Sequence, residues 1–391
     1  MWLYSNTYGG ITMPLDIRGR LPVGAAASSA STSLQHYLEF YLGGVPTFSP
    51  EVLVQAARDQ EALGFDSSLF PQRATGPAVW PIVGWALAAT HRLRVVAAHR
   101  VGLERPTVAA RTLATLDRLS DGRVNIHFLQ GRDETDLQRD GVFLDKAQRY
   151  ASSAEYLEVF LAELSRQEPF DYQGSYYQVQ GAHSDVLPVQ RPWPPLSIPG
   201  TSDAGIELAA RFADIYSVPI ATLDTARRAI ERIEPLARAR GRRLRYWGDA
   251  NIIIASTDEL AWDIARRLAD EIALRQTREP LQDHANARAA LQGLGEAALH
   301  SGVWYPRLNA LTGHGYTLVG SPHTLAEHLL SFYRLGVGIL TLGGIGNRYD
   351  ATGRSQDLEQ DLVLLRELIE RLHVGAERID AEVAATANGT F

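Results

Sequence analysis

Among the residues that could carry chemistry, Gly200-Thr201-Ser202 has the clearest placement. The turn follows the apolar run PLSIPG (195–200) and precedes a helical stretch at 203–212. Backbone N–H groups, the positive end of a helix dipole and two hydroxyls converge at such a turn, so it can hold a phosphate-like anion or simply cap its helix. His91, His99, His127 and His183 lack ligand spacing of the HExxH kind, and no metal centre is expected. Cysteine is absent, which excludes disulfides, thiolate metal sites and a cysteine nucleophile. No GxGxxG follows the first strand-like run, an argument against an open dinucleotide-binding sheet.

These residues need elements to position them, and the chain supplies a strict alternation. LEFYL (38–42), SSLF (67–70), LRVVAA (93–98), RVNIHFL (123–129), PLSIPG (195–200), ADIYSV (213–218), NIIIAS (251–256) and VGILTLG (337–343) are strand-like runs. A helical stretch follows each; Ser49-Pro50 and Pro106 open two of them, and Gly64 and Gly122 close them. About eight strand–helix pairs indicate an α/β fold with a parallel sheet, as a barrel or an open doubly wound sheet. Residues 1–36, with the small-residue tract AAASSASTS (25–33), are expected to form an N-terminal arm or linker. Residues 37–375 are expected to form the main domain, with a hairpin insertion near 168–182, a lid insertion at 276–315 and a C-terminal tail at 376–391.

The formal net charge of -7 gives a nucleic-acid partner no electrostatic support. There is no apolar run of membrane-spanning length and no basic n-region ahead of an apolar stretch, so a cytoplasmic protein is expected.

Four ordered stretches carry a more specific signal: RPTVAARTLATLDRLSDGRV (105–124), DGVFLDKAQRYASSAEYLEVF (140–160), FDYQGSYYQVQGA with QRPWPPLSIPGTSDAGIELAARFADIY (170–182 and 190–216), and YTLVGSPHTLAEHLLSFYRLGVGILTL (316–342). Together they resemble the bacterial luciferase-like flavin monooxygenases, and most closely the FMNH2-dependent alkanesulfonate monooxygenase branch. The resemblance implies a (β/α)8 TIM barrel with insertions. It also implies oxygenation of a small organic substrate with O2 and reduced FMN, delivered by a separate NAD(P)H-dependent flavin reductase, in a homodimer or homotetramer. A deazaflavin-dependent oxidoreductase and a non-catalytic flavin-binding protein are the alternatives on the same barrel.

By the same resemblance Gly200, Thr201, Ser202, Arg149 and Tyr150 bind the flavin phosphate. Ala98, His99 and Arg100 shelve the ring, with a non-proline cis peptide expected there, and Gln130 donates to the pyrimidine edge. His127, His99 and Asn251 are the candidates for catalytic polar roles. Trp304, Arg307, His314 and Tyr316 would reach substrate from the lid. Asp249 stands where the branch carries an arginine, and Leu311 where it carries another. A carboxylate there would repel a sulfonate, which points to a substrate other than a simple alkanesulfonate.

Overall fold

The computed structural model describes residues 7–8, 11–12, 14–21, 49–72, 74, 76–131, 134–278, 302–312, 315–343 and 356–388. In chain order the elements are β1 (Thr7–Tyr8), β2 (Ile11–Thr12), β3 (Asp16–Arg20), α1 (Pro50–Leu63), β4 (Ser67–Phe70), α2 (Val79–Ala89), β5 (Arg94–Arg100), α3 (Pro106–Leu119), β6 (Val124–Leu129), α4 (Glu134–Arg139) and α5 (Lys146–Ser165). They continue as β7 (Phe170–Gln173), β8 (Gln178–Ala182), β9 (Leu196–Ile198), α6 (Asp203–Phe212), β10 (Ile215–Val218), α7 (Leu223–Arg238), β11 (Arg245–Ile254) and α8 (Asp258–Arg278). The last are α9 (Pro306–Thr312), β12 (Tyr316–Gly320), α10 (Pro322–Arg334), β13 (Ile339–Gly343) and α11 (Gln356–Asn388). Apart from β1, β2, the β7–β8 hairpin and the α9–β12–α10 segment, this order is eight strand-then-helix steps, the order of a (β/α)8 barrel.

The chain divides into two compact units, one comprising Met1–Asp66, Val218–Ile230 and Arg245–Phe391, the other Ser67–Ser217 and Glu231–Leu244. Within the first, β3, β13, β11 and β12 run side by side and parallel. α10 and α11 pack together, and the Tyr333 hydroxyl donates to both Asp380 oxygens at 2.8 and 2.9 Å. Within the second, β10, β9, β6, β5 and β4 form a parallel run, and β7 and β8 an antiparallel hairpin.

Two boundaries differ from expectation. The expected first strand, 38–42, lies outside the described residues, whereas Asp16–Arg20, inside the expected arm, is a buried strand pairing with β13. Its sequence, DIRGR, has one apolar residue in five, so hydropathy alone passes over it; its backbone bonds and the Arg18 guanidinium, stacked 5.0 Å from the Trp247 ring centroid, hold it in place. The expected tail at 376–391 is instead the end of α11 as far as Asn388, because Ala376 and Ile379 continue its buried stripe.

Local chemistry explains the corner after α3, which lies in the clearest of the resembling stretches. The buried Asp117 carboxylate accepts from Val189 N, Gln190 N and Gln190 Nε2 at 2.6, 3.0 and 2.6 Å. Arg123 ties the same corner together, donating to the carbonyls of Ser120, Leu93 and Leu87. Replacing Asp117 with alanine strands these donors; urea denaturation of Asp117→Ala is expected to show a loss of about 3 kcal/mol or more.

Candidate functional site

Along a strand, side chains alternate between the two faces of the sheet, and β5 and β6 apply this rule to the predicted residues. In their register Ala98 pairs with His127 and His99 with Phe128. Phe128 packs edge-on against Phe160 and Tyr156 of α5, so His99 faces the helix layer with it. The His99 Nε2 lies 2.8 Å from the Tyr156 hydroxyl, and its ring rests against Trp80 and Phe128. Burial pushes its pKa down to about 3. The expectation of a catalytic or ring-contacting His99 is therefore corrected: it is a neutral histidine of the core. The peptide bonds around it are trans, since regular pairing with β6 continues through Arg100, and the cis bond found among the described residues is Arg191-Pro192.

Ala98 and His127 face the opposite side. His127 Nδ1 sits 2.8 Å from Ser197 Oγ, while Ser197 Oγ donates to the Ile126 carbonyl at 3.3 Å. The His127 ring and the Ser197 hydroxyl thus share a buried hydrogen bond on the Ala98 side of the sheet.

Arg100 does not offer its charge to a ligand. Its guanidinium is buried and bonds to Asp140, with Asp136 at 3.7 Å, and Gln72 Oε1 accepts from its backbone N–H at 2.7 Å. It clamps α4 onto the end of β5, a correction to the expected cofactor contact.

The turn after β9 is shaped by a glycine and a helix cap. Gly200 has φ of 136°, a conformation side chains rarely adopt, and a Cβ there would lie 3.2 Å from Gly205 Cα. Ser202 caps α6, accepting from Gly205 N at 3.3 Å, and its Oγ meets the Tyr150 hydroxyl at 3.2 Å. Thr201 is exposed, and its carbonyl accepts from Arg232 at 3.1 Å. Arg149, one residue before Tyr150, takes another direction. It donates to the Leu144 carbonyl at 2.8 Å and lines a cavity of about 510 Å³ with Gln130, Gln148, Ser152, Ser153 and Tyr177. Neighbouring residues of α5 therefore serve the turn (Tyr150) and the cavity (Arg149).

This cavity supports the fit of an anionic, amide-rich cofactor. Gln130 Nε2 is buried and has no hydrogen-bond partner among the described residues. Arg149 meets no carboxylate at ion-pair distance among the described residues. An orphaned amide donor and an uncompensated guanidinium in one cavity suit a ligand with both a phosphate and hydrogen-bond acceptors. Sequence reasoning passed over Ser152 and Ser153 of α5 and Tyr177 of the β7–β8 connection, which line the cavity together, the Ser152 and Tyr177 hydroxyls lying 3.4 Å apart.

In the other unit, Asp249 and Asn251 occupy alternate positions of β11 and meet Arg20 of β3. Arg20 Nη2 is 2.5 Å from each Asp249 oxygen, and Nη1 donates to Asn251 Oδ1 at 3.1 Å. The Asp249 carboxylate is thus neutralised by an arginine inside the stretch assigned to an arm. Of the expected lid, residues 279–301 and 313–314 lie outside the described residues. Trp304 is 1% exposed, its indole N–H donating to Asn309 Oδ1 at 3.0 Å and its ring edge-on to Tyr316. Arg307 pairs with Asp270 at 2.8 Å. His314 lies outside the described residues.

A family model described as luciferase-like monooxygenase matches residues 23–338. Among solved structures, the EDTA monooxygenase from Chelativorans sp. BNC1 superposes with a TM-score of 0.70 at 15% identity, over 94% of this chain and 98% of that one. The oxygenating constituent of 3,6-diketocamphane monooxygenase from the CAM plasmid of Pseudomonas putida, in complex with FMN, gives 0.61 at 16%, over 93% and 99%. The coenzyme F420-dependent tetrahydromethanopterin reductase from Methanopyrus kandleri gives 0.65 at 16%, over 92% and 100%. These likenesses show the fold, a (β/α)8 barrel, and span several chemistries rather than the alkanesulfonate branch alone.

The buried His99 has a consequence for acid stability. Its pKa in the folded chain is about 3, below the ordinary 6.5, so the unfolded chain takes up the proton first as pH falls. Stability from the neutral ring is complete above pH 6.5 and is lost progressively toward pH 3. Urea unfolding from pH 6.5 downward is expected to show the parent losing roughly 1 kcal/mol per pH unit relative to His99→Gln, which does not titrate. Parallel pH profiles would refute the burial of a neutral imidazole.

Proposed function

Since the chain belongs to the luciferase-like monooxygenase family, we propose that it is the oxygenase of a two-component system that uses reduced FMN and O2 to oxygenate a small organic substrate. The observation that carries this reading is the cavity in which the Arg149 guanidinium and the orphaned Gln130 amide meet. A bound reduced flavin supplies the activation of O2, which no protein side chain provides. Arg149 would neutralise the phosphate from the cavity; Tyr150, Gly200, Thr201 and Ser202, which the resemblance assigns to the same group, do not line that cavity and would form a separate hydroxyl and backbone N–H contact. The Gln130 amide would donate to a pyrimidine carbonyl, and Ala98 would leave room for a flat ring. His127, bonded at Nδ1 to Ser197, would take the polar catalytic role expected of it.

In this reading the reduced flavin comes from a separate NAD(P)H-dependent reductase, and the chain works in the cytoplasm as a homodimer or homotetramer. Among the described residues no helix is long and apolar enough to cross a membrane. A second reading, hydride transfer with a deazaflavin, is favoured by the similarity to F420-dependent enzymes, the reductase among them. Arg149 and Gln130 would serve that cofactor too.

Anaerobic fluorescence titration distinguishes the two. Reduced FMN is expected to bind the parent, and Arg149→Ala and Gln130→Leu each to weaken it by about 1–3 kcal/mol. Binding of reduced deazaflavin but not reduced FMN would favour the second reading; binding of neither would overturn both.

A further inference from the structure

In the first unit β3 and β13 finish level with Asn251 of β11, which runs on to Ile254. Asp16 pairs with Ile339 and Thr341 with Arg18, while Trp247 pairs with Ile339 and Asn251 with Gly343. Arg20 is the last residue of β3 and Gly343 the last of β13, so the Arg20–Asp249–Asn251 cluster stands at the C-terminal ends of β3 and β13. That is the end at which (β/α)8 enzymes place their chemistry.

The cluster is braced from several sides. Gln60 Nε2 of α1 donates to the Arg20 carbonyl at 2.7 Å, fixing the strand end. A Cβ at position 343 would lie 2.6 Å from Asn251 Oδ1 and 2.8 Å from Arg20 Nη1, so only glycine lets the guanidinium lie flat against the amide. The pair is nevertheless open to solvent: the Arg20 side chain is 23% exposed and that of Asp249 32%. Arg20 therefore presents a fixed cation whose charge is already matched by an adjacent carboxylate.

We propose that the Arg20–Asp249 pair determines specificity by selecting uncharged organic substrates over anionic ones. The proposal rests on the reading of the chain as an oxygenase of small organic molecules and names the class of that substrate. An approaching anion gains from Arg20 what it loses to Asp249, and it reaches the guanidinium fork only by displacing a two-point bond. An approaching cation meets the converse. An uncharged substrate pays neither penalty and can lie along the pair.

The test is differential thermal stabilisation of the full chain without flavin, because a ligand that binds the folded state raises Tm by mass action. Sodium ethanesulfonate is compared with sodium chloride at equal ionic strength, and ethylammonium chloride with the same salt. The parent is expected to show no shift beyond the salt control with either probe. Asp249→Asn unmasks Arg20, and ethanesulfonate should stabilise it at a concentration at least roughly tenfold below any effect on the parent. Arg20→Gln unmasks Asp249 and should gain the same response to ethylammonium instead. The double variant Arg20→Gln/Asp249→Asn should respond to neither. Ethanesulfonate stabilising the parent as well as it does Asp249→Asn, or folded single variants that gain nothing, would overturn the proposal. If one single variant does not fold, the other decides alone. No arm contains flavin, so failure of the FMN titration and failure of this test are separate results.

Discussion

The alternation of side chains along parallel strands is the constraint on which the other features depend. Residues level with one another on β5 and β6 share a face, so Ala98 and His127 are assigned to one side and His99 and Phe128 to the other. One residue of register separates a histidine packed among aromatic rings from a histidine held by a serine hydroxyl. The same rule places Asp249 and Asn251 on one face of β11, where a single arginine from β3 reaches both.

Charge in this protein is mostly spent on architecture. Arg100 and Arg123 hold a helix and a corner in place, and Arg20 is matched by Asp249. Arg149 differs, because its partner is a neutral carbonyl and its side chain lines a cavity. A guanidinium cannot be discharged by losing its proton, so a partly buried one without a carboxylate is stabilised by an anionic ligand. The unpartnered amide of Gln130 in the same cavity makes the same demand in hydrogen bonds.

The stretch at 105–124, the clearest of the resembling blocks, is structural in content. Asp117, Ser120 and Arg123 within it satisfy backbone groups of neighbouring turns and contribute no group to the cavity. A phrase that identifies a family can thus encode the scaffold, while residues that bind a ligand sit in less distinctive surroundings.

The sequence by itself determined the alternation of strands and helices, the caps that start and stop them, and the turn at Gly200-Thr201-Ser202. Each depends on neighbours a few residues away, through hydrophobic period, side-chain caps and glycine conformation. It did not reveal β3, because DIRGR has little apolar content and is held by partners more than 200 residues distant, Asp249 and Trp247. It also misjudged Asp249 and His99, since the neutralising arginine and the enclosing rings come from remote segments. Tertiary structure alone decided which polar groups are already paired and which still lack a partner, because pairing between distant segments is set by register and packing.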